Sequence, residues 1–320
     1  MIKFQSFLAS VIEAYIKYQK ASGQWSNTYE RNLLYFDRYC LQIYPETKIL
    51  TQEMVNGWCA QRPTENNDSC ITRTGVVISF IRYLRERGMA KIEQPLLPRS
   101  EKSTYIPHAF TDIELKYFFN ACDNLPSEPR RKIILSRKIT VPVFFRLLYS
   151  SGIRTNEARM LRIDDVDLEQ GILSIKCSKG ESQHYVVLHE TMLELLRKYD
   201  AEIHKIYPER QYFFPSPKGF YRSNWVCRNF SELWHIHNSS HATAYELRHH
   251  YATENINRWI GNGFDFDAKL LYLSKSMGHS VLESTRYYYS LVPAMSEIIE
   301  KLSGQDFDAI VPEVDYAESQ

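Results

Sequence analysis

The stretch from Tyr245 to Tyr289, YELRHHYATENINRWIGNGFDFDAKLLYLSKSMGHSVLESTRYYY, is the most informative part of this 320-residue chain. It combines Arg248, His279 and three successive tyrosines in a segment whose apolar spacing predicts helices. Guanidinium and imidazole groups bind phosphate oxygens, and a guanidinium keeps its charge at neutral pH. A phenol hydroxyl can attack phosphorus and form a covalent intermediate. The stretch therefore indicates phosphoryl transfer through a tyrosine.

The composition is typical of a globular protein. Hydrophobic residues make up 44% and charged residues 24% of the chain, and no apolar run reaches the roughly 18 residues that a membrane span needs. The N-terminal segment carries regularly spaced charges and lacks the apolar core of a signal peptide, so we expect a cytoplasmic protein. The six cysteines are scattered without a CxxC pair, so neither a zinc site nor a disulfide framework is expected.

The formal net charge of +1 is unevenly distributed along the chain. Residues 1–109 hold 14 lysines and arginines against 10 acidic residues, whereas residues 301–320 hold one lysine against five acidic residues. A near-neutral total does not exclude a nucleic acid partner, because local basic patches determine the field that a phosphate backbone meets.

Apolar spacing predicts an all-helical domain over residues 1–95. Its helices are expected near residues 3–20, 27–43, 52–61 and 69–87. The segment KIEQPLLPRSEKSTYIPHAF (residues 91–110) contains three prolines and little periodicity, which predicts an extended linker over residues 96–110.

A second domain is predicted over residues 111–303, followed by an acidic tail over residues 304–320. Most of its apolar segments have helical spacing, among them residues 190–198, and Thr111 is a candidate N-cap of the first helix. Two short apolar segments, residues 171–175 and 184–188, flank the turn residues 178–180 and predict a β-hairpin. The expected fold class is therefore mainly α with a small antiparallel β-sheet.

Four motifs carry a resemblance when they are taken in chain order. They are SSGIRTNEARMLRIDDVD (residues 150–167), SKG before HYVVL (178–188), YELRHHYAT (245–253) and MGHSVLESTRYYYSL (277–291). In this order and spacing they resemble the tyrosine recombinase (phage integrase) family. The resemblance covers residues 110–300 in motif and residues 1–95 in architecture. It implies a helical core-binding domain followed by an α+β catalytic domain.

The resemblance also implies a role for each matching residue. Arg154 and Arg248 bind the scissile phosphate, and Lys179 protonates the leaving 5′ oxygen. His279 donates to a non-bridging oxygen or assists proton transfer. Tyr288, nine residues after His279, attacks the phosphate and forms a 3′-phosphotyrosyl link. Such a set of positive donors needs neither a metal nor a cofactor.

Helical geometry bears on two supporting residues, Glu157 and His249, and on which of the three tyrosines can be the nucleophile. Glu157, one turn after Arg154, is placed to brace that side chain or its loop. His249, a supporting residue beside Arg248, is interpreted as a structural, hydrogen-bonded side chain, as is His250, since at most one of them can share a face with Arg248. Successive helical residues point about 100° apart, so only one of the three tyrosines can face a given site.

One departure from the family pattern concerns proton transfer. Tyr245 occupies the first position of the H-x-x-R motif, where the family has histidine. A phenol with a pKa of about 10 donates a hydrogen bond but is a poor base near neutral pH. The route of the Tyr288 proton therefore stays open between His279, water and His241, and slower cleavage is expected.

The partner implied by the resemblance is double-stranded DNA. Four copies are expected to assemble on two synapsed sites, with a monomer free in solution and with accessory proteins left open. Arg73, Arg82 and Arg85 either line a DNA-binding face or solvate a helix. The predicted helix Pro293–Leu302 is a candidate for docking on a neighbouring copy. The alternatives are a type IB topoisomerase-like enzyme and a catalytically weakened DNA-binding relative.

Overall fold

The computed structural model describes residues 4–23, 25, 27–101, 105–128, 130–176, 183–259, 266–279 and 283–288. The chain divides into two compact units, Met1–Tyr105 and Ile106–Gln320. Within the described ranges, no helix combines the length and the apolar character needed to cross a membrane. The hairpin turn with Lys179, the predicted helix Pro293–Leu302 and the acidic tail lie outside these ranges.

The described part of the first unit is helical. Its helices are α1 (Ala9–Ala21), α2 (Asn27–Ile43), α3 (Gln52–Cys59) and α4 (Asn67–Glu86). Two of them begin at capping side chains, since Thr51 accepts from the Met54 amide and Asn66 accepts from the Ser69 amide. Their apolar faces meet in one core that includes Ile12, Phe36 and Phe80.

The first helix begins later than the sequence pattern predicts. Residues 5 and 6 precede α1, because the carboxylate of Asp37 accepts from the backbone amides of both Gln5 and Ser6. The Ser6 hydroxyl donates to the same carboxylate at 2.5 Å. Hydrogen bonds from another helix therefore override the apolar spacing of residues 3–8.

Arg73 was predicted to be a candidate DNA contact, and its position in the structure corrects that prediction. Its residue surface is 8% exposed, and its guanidinium donates to the carbonyl oxygens of Trp58 and Ala60. Two further bonds, of 2.8 and 2.7 Å, reach the Glu65 carboxylate, and they lower the pKa of Glu65 to about 2. Because these internal acceptors engage its guanidinium, Arg73 stabilises the loop between α3 and α4. Arg82 and Arg85 are exposed, and their role stays a prediction.

The second unit contains further helices and short strands. Its helices are α5 (Asp112–Asp123), α6 (Lys132–Ser151), α7 (Thr155–Met160), α8 (Glu190–Ile206), α9 (Ser223–Trp234), α10 (Glu246–Trp259), α11 (Phe266–Ser276) and α12 (Glu283–Arg286). Its strands are β1 (Val166–Asp167), β2 (Ile172–Ile175), β3 (His184–Val187), β4 (Pro215–Ser216) and β5 (Gly219–Phe220). Thr111 and Glu114 form a capping box at the start of α5.

The strands form two small antiparallel sheets. The order β1-β2-β3 makes one sheet, in which Ile172 pairs with Val187 and Ile175 pairs with His184. Strands β4 and β5 pair separately. The β2–β3 pairing and the mainly helical remainder confirm the predicted fold class, whereas β1, β4 and β5 are too short to leave a periodic signal in the sequence.

The second core extends along α6 and positions the segment that follows it. Phe144, Phe145 and Leu148 of α6 are buried among side chains of α5, α8 and α9. The helix ends at Gly152, whose φ of 64° lies in the left-handed region. A Cβ atom there would collide with the ring of Tyr251 on α10, so glycine allows the chain to turn close to that helix.

Candidate active site

Helix α10 is held at its start by a buried carboxylate. Glu246 is 1% exposed, and its two oxygens accept from the backbone amides of His108 and Thr243 at 2.9 and 2.5 Å. A negative charge in the first turn also interacts favourably with the helix dipole. Glu246 thereby sets the position of Arg248, half a turn later.

Arg248 is almost fully buried, with 2% of its surface exposed. Its Nη1 donates to the Gly152 carbonyl at 2.6 Å, and its Nη2 donates to the Met277 carbonyl at 2.7 Å. These acceptors follow the ends of α6 and α11, where helix carbonyls are partially negative. Burial lowers the pKa of Arg248, and the two carbonyls offset part of the cost of burying its charge.

The turn after α11 brings a histidine to Arg248. Gly278 has a φ of 64°, and the His279 amide donates to the Ser274 carbonyl, which closes the helix end. His279 Nε2 then lies 2.9 Å from Arg248 Nη2, and its Nδ1 lies 2.6 Å from the Thr285 hydroxyl. Because a guanidinium only donates, Nε2 is the acceptor and Nδ1 carries the proton.

The ionisation of His279 follows from this environment. Burial lowers its pKa to about 4, and the nearby charges of Arg248 and Arg154 act in the same direction. His279 is therefore neutral near pH 7, with its two ring nitrogens engaged by Arg248 and Thr285.

Arg154 reaches the same site from a distant part of the chain. Its Nη2 donates to the Gly278 carbonyl at 2.8 Å, across 124 residues of sequence. Glu157 accepts from Arg154 Nη1 at 2.6 Å and from the Arg154 backbone amide at 2.8 Å. This is the brace that the sequence predicts, and the Glu157 side chain is only 1% exposed.

His184 also lines the site, although no sequence motif predicted a role for it. It begins β3, its side chain is 6% exposed, and its Nε2 lies 4.0 Å from a Glu157 oxygen. Its ring is so close to Gly278 that a Cβ atom on the glycine would lie 2.5 Å from His184 Cε1. Nothing in the local pattern of β3 separates this histidine from an ordinary strand residue.

The structure describes two of the three successive tyrosines, and they differ in exposure. Tyr288 is 3% exposed and packs with Ala252 and Met277, whereas Tyr287 is 43% exposed. The Tyr288 ring is nearly parallel to that of His279, with a centroid distance of 6.3 Å. Burial raises the pKa of Tyr288 to about 12, so it is a phenol at neutral pH. Tyr289 lies outside the described residues.

Two further residues belong to the surroundings of Tyr288: Tyr245, which directly precedes α10, and His249, which lies in α10. Tyr245 is 46% exposed, and its ring meets that of His249 edge to face at 5.1 Å. The His249 ring lies 5.5 Å from the Tyr288 ring. Lys179, the remaining predicted site residue of this unit, lies outside the described ranges, so its role stays a prediction.

The site combines two functions that phosphoryl transfer requires. Arg154 and Arg248 bring two guanidinium groups to the turn that carries His279, and such preorganised donors stabilise negative charge on a phosphate. A phenol lies beside them, and a phenol can form a covalent ester with phosphorus.

Comparison with protein families gives one match that spans both arginine motifs and the tyrosine. The model of the phage integrase family matches residues 110–294 of the chain, more than half of its length. An integrase/recombinase named y4rE, from Sinorhizobium fredii, is 26% identical over 303 residues, which cover 90% of this chain and 93% of that protein. The tyrosine recombinase XerA of Thermococcus kodakarensis is 24% identical over 315 residues, with 92% and 98% covered.

Solved structures share the fold at lower sequence identity. The XerH site-specific recombinase, in a post-cleavage complex with palindromic difH substrate, is 18% identical with a TM-score of 0.59, covering 87% of this chain and 78% of its own. The Tn1549 transposon integrase, bound to transposon right-end DNA, is 13% identical with a TM-score of 0.60, covering 91% of this chain and 98% of its own.

Proposed function

Because this chain belongs to the phage integrase family, we propose that it cuts a DNA strand with Tyr288 and holds the end as a 3′-phosphotyrosyl ester. The chain is a tyrosine-type site-specific recombinase, a DNA breaking and rejoining enzyme. As the bond from Tyr288 Oη to phosphorus forms, the bond from phosphorus to the 5′ oxygen breaks. A 5′ hydroxyl of the partner duplex then attacks the ester and releases the tyrosine. The ester conserves the bond energy between the two steps.

One observation carries this assignment of the nucleophile. Arg154 and Arg248 both donate to the turn that carries His279, and the Tyr288 ring lies beside that histidine. A phosphate held by the two guanidinium groups would therefore meet a phenol rather than solvent. Tyr287, the neighbouring candidate, is largely turned to the surface.

The other residues have supporting roles in this proposal. Glu157 holds Arg154 in place through its charged hydrogen bonds, and Thr285 holds the proton of His279 on Nδ1. Lys179 is proposed as the acid for the 5′ oxygen on the resemblance of its motif alone. Arg82 and Arg85 are proposed phosphate contacts of the first unit, where exposed guanidinium groups would position a duplex without reading its sequence.

The comparisons favour strand exchange over the topoisomerase-like alternative, because the named relatives are recombinases and integrases. We further propose double-stranded DNA as the partner and four copies of the chain as the assembly on two synapsed sites. Exchange of strands between two labelled duplexes would support this reading, whereas relaxation of supercoiled plasmid without exchange would contradict it.

Covalent capture tests the proposed chemistry directly. The probes are duplexes tiled across the DNA that flanks the gene, each nicked just downstream of a candidate cleavage point, so that the short fragment carrying the freed 5′ hydroxyl diffuses away. We expect the wild-type protein to form an adduct that survives denaturant, with the nucleotide attached to the Tyr288 peptide by mass spectrometry. Absence of an adduct on every duplex, despite specific binding to one of them, would contradict the proposal and favour the weakened DNA-binding relative.

Gly278→Ala is expected to slow adduct formation through a steric effect on the site. The new Cβ atom would lie 2.5 Å from His184 Cε1, so the His184 ring must shift, and 3.1 Å from Arg154 Nη1, which must give way by a few tenths of an ångström. Displacement of a positioning group by about 1 Å can reduce a rate about 100-fold, so this smaller displacement of Arg154 should slow the reaction by less than that. The rate of adduct formation on the nicked duplex measures the effect.

Gly88→Ala is the matched control for Gly278→Ala. Gly88 has a φ of 67°, and no atom lies within 4 Å of its added Cβ. Both variants should lose about 1–2 kcal/mol of unfolding free energy from the left-handed backbone, but only Gly278→Ala should slow the reaction. Equal rates in the two variants would show that contacts at Gly278 do not position Arg154.

A further inference from the structure

The described residues to which the family motifs assign a catalytic role do not supply a free acceptor for the Tyr288 proton. Tyr245 replaces the histidine of the family motif, and a phenol is a poor base near neutral pH. His279 is an imidazole, but its Nε2 accepts from Arg248 and its Nδ1 holds the proton that it shares with Thr285. His279 would therefore have to release Arg248 before it could accept a proton.

His249 is a second imidazole beside the nucleophile. It lies one turn after Tyr245 on the same face of α10, as their ring contact of 5.1 Å shows. Its ring is tilted against that of Tyr288 at a centroid distance of 5.5 Å, which is shorter than the 6.3 Å between His279 and Tyr288. Of these two imidazole rings, that of His249 thus lies nearer to the Tyr288 ring.

The Nδ1 atom of His249 has an unusual environment. It is buried, and it has no hydrogen-bond partner among the residues that the structure describes. Buried polar atoms of folded proteins nearly always have a partner, and an exception calls for an explanation such as a catalytic role. A ring nitrogen kept without a partner beside the nucleophile suits such a role.

The charges around His249 keep it in the neutral form. Burial lowers its pKa, and the charge of Arg248 acts in the same direction, while Glu246 opposes them. Among the residues that the structure describes, its ring also contacts three phenols, those of Tyr245, Tyr287 and Tyr288. The imidazole is therefore able to accept a proton near pH 7.

We propose that His249 is the general base that takes the phenol proton of Tyr288 during DNA cleavage. This proposal rests on the proposed function of Tyr288 as the nucleophile. As the bond from Oη to phosphorus forms, the Oη proton moves to a ring nitrogen of His249. The bond from phosphorus to the 5′ oxygen breaks, and that oxygen takes a proton from the general acid, which is Lys179 by resemblance. On rejoining, the His249 imidazolium returns its proton to Tyr288.

His249→Asn tests this role, with His250→Asn as the matched control. His250 is the next residue and is also partly buried, but its ring stacks on Tyr149 at 5.4 Å and not on Tyr288. The measurement is the rate of adduct formation on the nicked duplex between about pH 5 and pH 9. General base catalysis contributes about 10²- to 10⁴-fold, so His249→Asn should be slower by at least about 100-fold. It should also lose the rise in rate with pH that titration of the base produces, whereas His250→Asn should keep both.

Two rescue experiments separate a base from a structural residue. Tyr245→His in the His249→Asn background places an imidazole at a position that interacts electrostatically with Tyr288, and it should recover at least about tenfold in rate. Imidazole added to His249→Ala should raise its rate in proportion to the imidazole concentration, and it should leave the wild-type rate unchanged.

The outcomes distinguish the role of His249 from the role of Tyr288. A wild-type adduct together with an unchanged rate and pH profile in His249→Asn would overturn the role of His249 and leave Tyr288 as the nucleophile. Absence of rescue in both experiments, by Tyr245→His in slow His249→Asn and by imidazole in slow His249→Ala, would also overturn it, because that result indicates a packing role. Failure of the wild-type protein to form any adduct, despite specific binding to one of the duplexes, would overturn both proposals.

Discussion

Tyr288→Phe is expected to abolish formation of the covalent DNA adduct while leaving specific DNA binding intact. The substitution removes one oxygen, the atom that forms the bond to phosphorus, and retains the ring that packs with Ala252, Ile256 and Met277. Because the ring carries most of the packing, the free energy of unfolding should change by about 1 kcal/mol or less. Denaturing gel electrophoresis of the nicked-duplex reaction measures the adduct, and a binding titration with the same duplex measures affinity.

Tyr287→Phe is the matched control for this change. It removes the same atom from the neighbouring residue, whose ring is 43% exposed and lies 5.6 Å from that of Tyr288. This variant should form the adduct at close to the wild-type rate. An adduct that persists in Tyr288→Phe and disappears in Tyr287→Phe would reverse the assignment that spacing from His279 and burial both support.

Arg248→Lys is expected to slow adduct formation and to destabilise the second unit. The planar guanidinium bridges the carbonyls of Gly152 and Met277 at 2.6 and 2.7 Å, and a single ammonium cannot reproduce that fork. Loss of one charged hydrogen bond costs about 1.5–3 kcal/mol of unfolding free energy. Loss of a preorganised donor at the transition state should slow the reaction by about 10²- to 10³-fold.

Arg258→Lys provides the comparison for Arg248→Lys on the same helix. The Arg258 side chain is 76% exposed and lies 4.0 Å from Glu254, so its replacement should change stability by about 0.5 kcal/mol or less. Urea unfolding and adduct rates should be measured for both variants. Wild-type stability in Arg248→Lys would show that the buried bridge between α6 and α11 does not hold the site together.

The helices of the protein are the part of the fold that local sequence pattern predicts well. Helix α8 is instructive, because the pattern predicts residues 190–198 and the structure continues to Ile206. Buried Tyr199 and Ile203 continue the apolar face at a spacing of four residues, so the periodicity extends further than the prediction. Strands of two residues, such as β4, have no periodicity to detect.

In the candidate site, too, some residues are predicted by sequence motifs, whereas the contacts of others are visible only in the tertiary structure. Three of the motifs identify Arg154, Arg248, His279 and Tyr288, because each lies at a fixed offset within its own segment, and the fourth predicts Lys179, which lies outside the described residues. No motif supports Arg73, which was predicted from its charge on an amphipathic helix; it turns inward because the Glu65 carboxylate and the Ala60 carbonyl accept its hydrogen bonds. The sequence around Arg73 does not show where Glu65 and Ala60 lie.

The sequence by itself determined the class of the protein, its helical framework and the residue types that bind and attack a phosphate, because these properties are encoded within single segments. Only the tertiary structure decided which ring nitrogen of His279 carries the proton, that Glu157 braces Arg154 in a buried position, and that His249 faces Tyr288. The Arg154–Gly278 and Arg248–Gly152 contacts join residues 124 and 96 positions apart. Such pairings depend on how the helices pack, and helix packing leaves no periodic pattern in the sequence of either partner.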